Sequence, residues 1–196
     1  MSVNDPTNPS LTARPDRVLV LCSHNQCRSP LAGALLRREI ALHGLPVEVL
    51  TAGFRDSGRP ATTPTIEVAE DFGIDLRAHA SRTVDRDLLI GADLVLGVER
   101  LHVREAVVLE SSVWPRAFTL RDAVRRAEAV APRSPDEPLR AWLSLLGAGR
   151  DRMSLMGASP DDDVLDPTTD RTVDHRSTAE MLEDLMCRLV RRAWPV

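Results

Sequence analysis

The sequence predicts an α/β protein: three layers, α/β/α, around a central four-stranded parallel sheet. Two observations lead there. Short apolar runs such as Val18-Leu-Val-Leu21 and Asp93-Leu-Val-Leu-Gly-Val98 show no polar alternation, the pattern of strands covered on both faces. Between them lie longer segments with apolar residues at helical spacing, and strands alternating with helices close most simply as a parallel sheet with helices on both sides. A third observation places the site. The run Cys22-Ser-His-Asn-Gln-Cys-Arg28-Ser29-Pro30 joins the first strand to the first helix, where a phosphate-binding loop is expected.

Taken in order, residues 1–16 are rich in Pro, Asn, Ser and Thr and are expected to form a mobile tail. Residues 17–196 then read as a single α/β domain. Strand one spans 18–21. Pro30 suits the first helical position, with Ser29 before it as N-cap, and Leu31, Leu35, Leu36 and Ile40 carry the helix to His43-Gly44. Strand two covers 47–51, followed by a turn-rich stretch over 53–60. Thr63-Pro64 opens a helix bearing Ile66, Val68, Ala69 and Phe72, which Gly73 ends. A short segment through His79 leads to a helix over 85–90. Strand three covers 93–98, a helix 99–108, and strand four 114–119. The stretch 131–163 holds Pro132, Pro135 and Pro138 and a short apolar helix over 139–146; it reads as an insertion beside the sheet, either a lid or a structural elaboration. A last helix over 178–194 carries Leu182, Leu185, Met186 and Leu189 on one stripe.

Composition narrows the function classes. A chain of 196 residues with net charge −4 fits one domain with a real core. It has no lysine and no tyrosine, which excludes a lysine Schiff base and control through its own tyrosine phosphorylation. Arginines are interspersed with Asp and Glu rather than blocked, so no nucleic-acid partner is expected. No stretch is long enough to span a membrane, and the first 16 residues carry no secretory pattern. Three cysteines, two in one loop, make no disulfide framework; a cytoplasmic location is expected.

The loop after strand one carries the chemistry. Backbone N–H groups of residues 23–28 can converge on one hollow at a helix N-terminus, which binds a phosphate-like oxyanion. Cys22 at its mouth would face amides and a guanidinium, surroundings that favour a thiolate. Arg28 can clamp two oxygens of a phosphoryl group, and the Ser29 hydroxyl can reach the sulfur. A nucleophile and an arginine so spaced suit in-line attack on phosphorus.

This stretch resembles the signature of the low-molecular-weight protein-tyrosine phosphatases, Cys-x-Gly-Asn-x-Cys-Arg-Ser-Pro after an apolar strand. It matches at Cys22, Asn25, Cys27, Arg28, Ser29 and Pro30 and departs at His24, where the family usually has Gly. A left-handed conformation is expected at His24, which tolerates it better than most residues. The resemblance extends over roughly 17–194, apart from the 131–163 stretch. It implies a phosphocysteine mechanism, a phosphate cradle from Ser23, His24, Asn25, Gln26, Cys27, Arg28 and Ser29, and loop support from Asn25, Ser29 and His79. It further implies that Asp166, in Val164-Leu-Asp-Pro167, is the general acid and then the base. A bound phosphate dianion would raise that carboxyl's pKa. Asp161, Asp162, Asp163 and Asp170 read as solvated loop charges and Cys187 as core. Cys27 reads equally as a reversible disulfide partner of Cys22 or as a small buried loop residue.

No cofactor and no metal is required: Cys22, His24 and Cys27 lack a second ligand pair. The partner implied is a phosphorylated protein or a small phosphate ester. Thr168 and Thr169 stand where relatives carry aromatics after Asp-Pro, Phe54 is the only aromatic in its loop, and Gln26 replaces a commonly aliphatic residue. Those departures leave phosphoarginine open beside phosphotyrosine. Two rival classes remain: an arsenate reductase using an external thiol, since only Cys187 is left to resolve oxidation, and a non-catalytic phosphate-binding module.

Overall fold

The computed structural model describes residues 14–55 and 57–195. Four strands, β1 (Asp16–Cys22), β2 (Val47–Gly53), β3 (Leu94–Gly97) and β4 (Ala117–Thr119), form one sheet in the order β2-β1-β3-β4. Every pairing is parallel, with Cys22 opposite Gly53 and Leu21 opposite Gly97. Seven α-helices are described: α1 (Arg28–Leu42), α2 (Thr63–Asp71), α3 (Arg86–Gly91), α4 (Arg100–Leu109), α5 (Leu120–Ala129), α6 (Leu139–Leu146) and α7 (His175–Ala193).

The unbroken apolar strand pattern follows from two cores. Val18, Val20 and Cys22 face one core with Leu35, Leu36, Phe118, Leu182 and Leu189. Leu19 and Leu21 face the other with Leu89, Val95, Val103 and Ala106. Each residue of β1 from Val18 to Leu21 is fully buried, and truncating such a leucine to alanine costs about 2–5 kcal/mol. From β1 the chain steps outward to β2, then crosses back to β3 on the opposite side. That reversal leaves a crevice at the C-terminal ends of β1 and β3, where open α/β sheets bind ligands.

Several boundaries differ from expectation. Helix α1 starts at Arg28, with Cys27 as N-cap and no side-chain cap; the Ser29 hydroxyl is engaged elsewhere, and Pro30 is third in the helix. The first four N–H groups of a helix are unpaired, so proline is tolerated there too. Strand β4 is shorter than the expected 114–119, because Ser111–Arg116 forms a 3-10 helix containing Pro115, whose missing N–H suits no inner strand. Helix α5 was not expected. Its signal lies in Leu120, Ala123, Val124 and Ala127, all buried at helical spacing, after a Thr119 N-cap that accepts from Asp122 N at 3.1 Å. Helix α7 begins at His175, where Asp174 caps Ser177 N at 2.7 Å.

Of the expected tail, residues 1–13 lie outside the described residues. Asp16 belongs to β1, and Arg14 pairs with Asp93. In the 131–163 stretch, α6 buries Leu139, Trp142, Leu143 and Leu146, and Trp142 Nε1 donates to Ala131 O at 3.0 Å. The Arg150 guanidinium lies 4.1 Å from the Trp114 ring centroid and 3.9 Å from that of Phe118. Burial lowers its pKa to about 10. No helix among the described residues is long and apolar enough to cross a membrane.

Candidate active site

Cys22 ends β1 and is buried, at 3% exposure. Its Sγ lies 3.0 Å from Ser29 Oγ and accepts from Asn25 N at 3.2 Å. The expected contact between Ser29 and the sulfur is present, and that hydroxyl has left the N-cap role to make it.

The loop turns on Asn25, not on His24. Asn25 is the one non-glycine with positive φ among the described residues, at 53°, and asparagine tolerates the left-handed region well. The turn is held from three sides. Asn25 Nδ2 donates to Ser29 Oγ at 2.8 Å, its Oδ1 accepts from Arg82 N at 2.9 Å, and its carbonyl oxygen lies 2.7 Å from His79 Nε2. His79 therefore touches the backbone of Asn25, while Arg82 and Ser29 hold the side chain. Gly53 at the end of β2 makes room: a Cβ there would meet Asn25 N at 2.7 Å and Ser23 O at 2.8 Å. The Ser23 carbonyl accepts from Phe54 N and Arg55 N at 2.8 and 3.1 Å.

Arg28, at the start of α1, is 2% exposed. Its Nη1 donates to Glu99 and, at 2.8 Å, to Val164 O, and its Nη2 donates to Asp166 Oδ2 at 2.7 Å. Its Nε is buried without a hydrogen-bond partner among the described residues. Burial opposes the charge, but the Glu99 and Asp166 carboxylates outweigh it and raise the Arg28 pKa. Half the guanidinium is anchored, while the Nε–Nη2 edge holds one displaceable carboxylate.

Asp166 is only partly buried. Its Oδ1 accepts from Thr168 N at 3.0 Å and from Thr168 Oγ1 at 2.7 Å. Burial pushes its pKa up, but the Arg28 guanidinium and the Thr168 bonds prevail and hold it below the ordinary carboxylate value. The raised pKa expected beside a phosphate dianion is therefore not that of the free protein.

The approach to Asp166 is firmly tied. Val164 N donates to Val98 O at 2.8 Å, Arg100 N to Asp163 Oδ1 at 2.7 Å, and Arg100 Nε to Asp162 Oδ2 at 2.7 Å. Asp162 and Asp163 are buried at 6% exposure each. They are struts binding the Asp166 segment to the β3–α4 junction, not the solvated charges expected. Cys187 is half-buried on α7 rather than in the core.

Cys22, Ser23, His24, Gln26, Cys27, Arg28, Thr62, Asp166 and Thr168 line one cleft of about 120 Å³. Burial pushes the Cys27 thiol up to about 11, against a hydrogen bond from Thr65 that lowers it. No residue of 131–163 lines this cleft among the described residues. Phe54 lies instead parallel to the His102 ring, centroids 6.1 Å apart.

Sequence reasoning missed Thr62 in the cleft lining and, beside the cleft, Glu99 and His102. Glu99 holds Arg28, and His102 Nε2 lies 2.9 Å from Ser23 Oγ. Their signal was positional: both follow the C-terminal end of a strand beside β1.

A parallel sheet that presents a buried cysteine and an arginine on an anion-cradling loop is the arrangement of a cysteine-dependent phosphohydrolase. The chain belongs to the low molecular weight phosphotyrosine protein phosphatase family, whose model matches residues 17–136. It is 42% identical over 104 residues to the probable low molecular weight protein-tyrosine-phosphatase EpsP of Ralstonia solanacearum, covering 53% of this chain and 69% of that one. It is 32% identical over 108 residues to a protein-arginine-phosphatase of Bacillus subtilis, covering 55% and 71%. A crystal structure of a low molecular weight protein tyrosine phosphatase from T. tengcongensis superposes with TM-score 0.66 at 27% identity, over 90% of this chain and 98% of that one.

Proposed function

We propose that this phosphatase hydrolyses phosphorylated proteins through a phosphocysteine on Cys22, with Asp166 as acid and then base. The observation that carries the reading is Arg28, buried beside Cys22 with Nε unpaired and Nη2 on Asp166. A phosphoryl group entering the cradle takes that edge of the guanidinium bidentately. It displaces the Asp166 carboxylate, whose pKa rises beside the dianion once Arg28 is withdrawn. The Cys22 thiolate attacks phosphorus in line, the P–O bond of a phosphoester or the P–N bond of phosphoarginine breaks, and Asp166 protonates the departing oxygen or nitrogen. Asp166 then takes a proton from water, whose oxygen attacks phosphorus and returns the thiolate with release of inorganic phosphate. Ser29, bonded to the sulfur, and Asn25, which fixes the turn, support the nucleophile. His79 braces the Asn25 carbonyl, and the loop from Ser23 to Ser29 cradles the phosphate.

One observation favours phosphoarginine over phosphotyrosine. The cleft walls are His24, Gln26, Thr62 and Thr168, with no Phe, Tyr or Trp lining it among the described residues, the side chains that best stack on a phenyl ring. The likeness to a protein-arginine-phosphatase admits this substrate, while the higher identity to EpsP and the family model keep phosphotyrosine beside it. Rates on matched phosphoarginine and phosphotyrosine peptides decide it. Three free cysteines suit a reducing cytoplasm, where we place this activity. No second cysteine besides Cys27 is near Cys22 in the cleft lining, which disfavours an arsenate relay through the protein's own thiols.

The primary experiment measures release of p-nitrophenol from its phosphate ester by the protein and its Cys22→Ser variant under reducing conditions. Turnover that vanishes in the variant supports the reading. Absence of turnover in the native protein from acid to neutral pH overturns it in favour of a phosphate-binding module.

A further inference from the structure

We propose that the Ser23 hydroxyl is a hydrogen-bond donor to the phosphoryl group and that His102 is the positioning residue that aims it. This rests on the phosphatase reading and adds a side-chain donor to a cradle otherwise built from backbone amides and Arg28.

The argument is one of hydrogen accounting. The backbone N–H of Glu99 donates to His102 Nδ1 at 3.1 Å. A backbone N–H has no other role, so Nδ1 carries the lone pair, and the proton of the neutral ring sits on Nε2. Nε2 lies 2.9 Å from Ser23 Oγ and therefore donates to it. With that acceptor site filled from behind, the Ser23 O–H is left to donate in another direction, and Ser23 lines the cleft beside Cys22. The carbonyl of the same residue is held by Phe54 N and Arg55 N, so the loop cannot swing to present the oxygen differently.

The ring itself is fixed. His102 is fully buried on α4 and lies parallel to Phe54. Burial first, then the Arg28, Arg55 and Arg104 charges, depress its pKa to about 3 against the opposing pull of Asp166. The ring is neutral at mildly acid and neutral pH, and the Glu99 N–H fixes its tautomer. Ser23 and His102 thus form a donor chain running from the Glu99 backbone to the cleft. Glu99 joins both halves of the site, since its carboxylate anchors Arg28 while its N–H orders His102.

The test is binding of inorganic phosphate, measured by calorimetry in the full chain, alongside p-nitrophenyl phosphate turnover. Loss of one donor to a charged ligand weakens binding by about tenfold to a hundredfold. Ser23→Ala is expected to show that loss, and Ser23→Thr to recover most of it by restoring the hydroxyl. His102→Phe keeps the ring and its neighbour Phe54 but removes Nε2–H; it is expected to weaken phosphate binding in the native background and to add nothing to Ser23→Ala. A merely structural bond would lower the melting temperature in all three variants and leave phosphate affinity of the folded fraction unchanged. If His102→Phe does not fold, the Ser23→Ala and Ser23→Thr pair still decides. A native protein that turns over the ester while Ser23→Ala binds phosphate within twofold of it overturns this inference alone. A native protein that neither turns over the ester nor binds phosphate overturns the phosphatase reading with it.

Discussion

The two ends of the β1–β3 strand pair each bury a charge, and they treat it oppositely. At the N-terminal end, Asp93 is saturated. Arg14 clamps both of its oxygens at 2.8 and 2.7 Å, Arg140 Nε adds 2.9 Å, and Arg17 N adds 3.0 Å. At the C-terminal end, Arg28 is anchored through Nη1, keeps Nε unpaired, and shares Nη2 with a carboxylate on a partly exposed loop. A charge whose partners are all in place secures the fold. A charge left one partner short, at 2% exposure, is held ready for a ligand that supplies it. Burial alone does not separate the two cases; the state of the hydrogen-bond inventory does.

That contrast breaks most sharply at Arg28. Arg28→Lys retains the charge but loses the fork, and kcat/KM for p-nitrophenyl phosphate is expected to fall about a thousandfold. A loss below tenfold in steady-state assays would mean that the bidentate edge does not bind the phosphoryl group.

Asp166→Asn comes next. A general acid matters more as the leaving group worsens, so kcat is expected to fall about a hundredfold or more on phenyl phosphate and clearly less on p-nitrophenyl phosphate. Equal losses on the two esters would remove Asp166 from the acid role. The same exchange has a proton signature. Arg28 holds the free Asp166 below its ordinary pKa, and a phosphate dianion that takes Arg28's edge raises it. Sulfate stays a dianion at mildly acid pH, so its binding in the same cradle should take up protons, as read by calorimetry in buffers of different ionisation heat. Asp166→Asn should abolish that uptake.

The smallest effect belongs to the saturated end. Asp93→Asn is expected to lower stability by about 1–3 kcal/mol with kcat unchanged, in urea unfolding and turnover measured side by side. Its pH dependence follows from sign. Burial works to raise the Asp93 pKa, but the Arg14, Arg17 and Arg140 bonds prevail and lower it. The Asp93 contribution is thus complete above the unfolded carboxylate value of about 3.9 and disappears as pH falls through the lower folded value. Asp93→Asn should flatten the stability curve in that acid window alone.

The legible parts of this protein were those encoded locally. The β1 run, the Cys22–Pro30 loop and the Asp166-Pro167 pair are contiguous, and their chemistry is written in neighbouring residues. Helix α5 was equally local, in its spacing and its Thr119 cap, yet went unread beside the proline-rich stretch that follows. The left-handed turn fell on Asn25 rather than His24 because one local bond to Ser29 and two long-range bonds, with Arg82 and His79, fix the asparagine. Asp162 and Asp163 look like loop charges in the sequence and become struts only when Arg100, 62 and 63 residues away, meets them.

The sequence by itself determined the fold class and the candidates for nucleophile, phosphate clamp and acid. The first three depend on periodicity or on spacing within a few residues, and the acid on the resemblance of the Asp166-Pro167 pair to the family's; such patterns survive without knowledge of distant partners. Tertiary structure alone decided which donors of Arg28 are spent, where Asp166 rests without substrate, and that His102 stands behind Ser23. Those outcomes depend on hydrogen bonds that close loops of 71 to 138 residues. No local pattern records them, because only the packed sheet brings the ends of β1 and β3 and the Asp166 segment to one place.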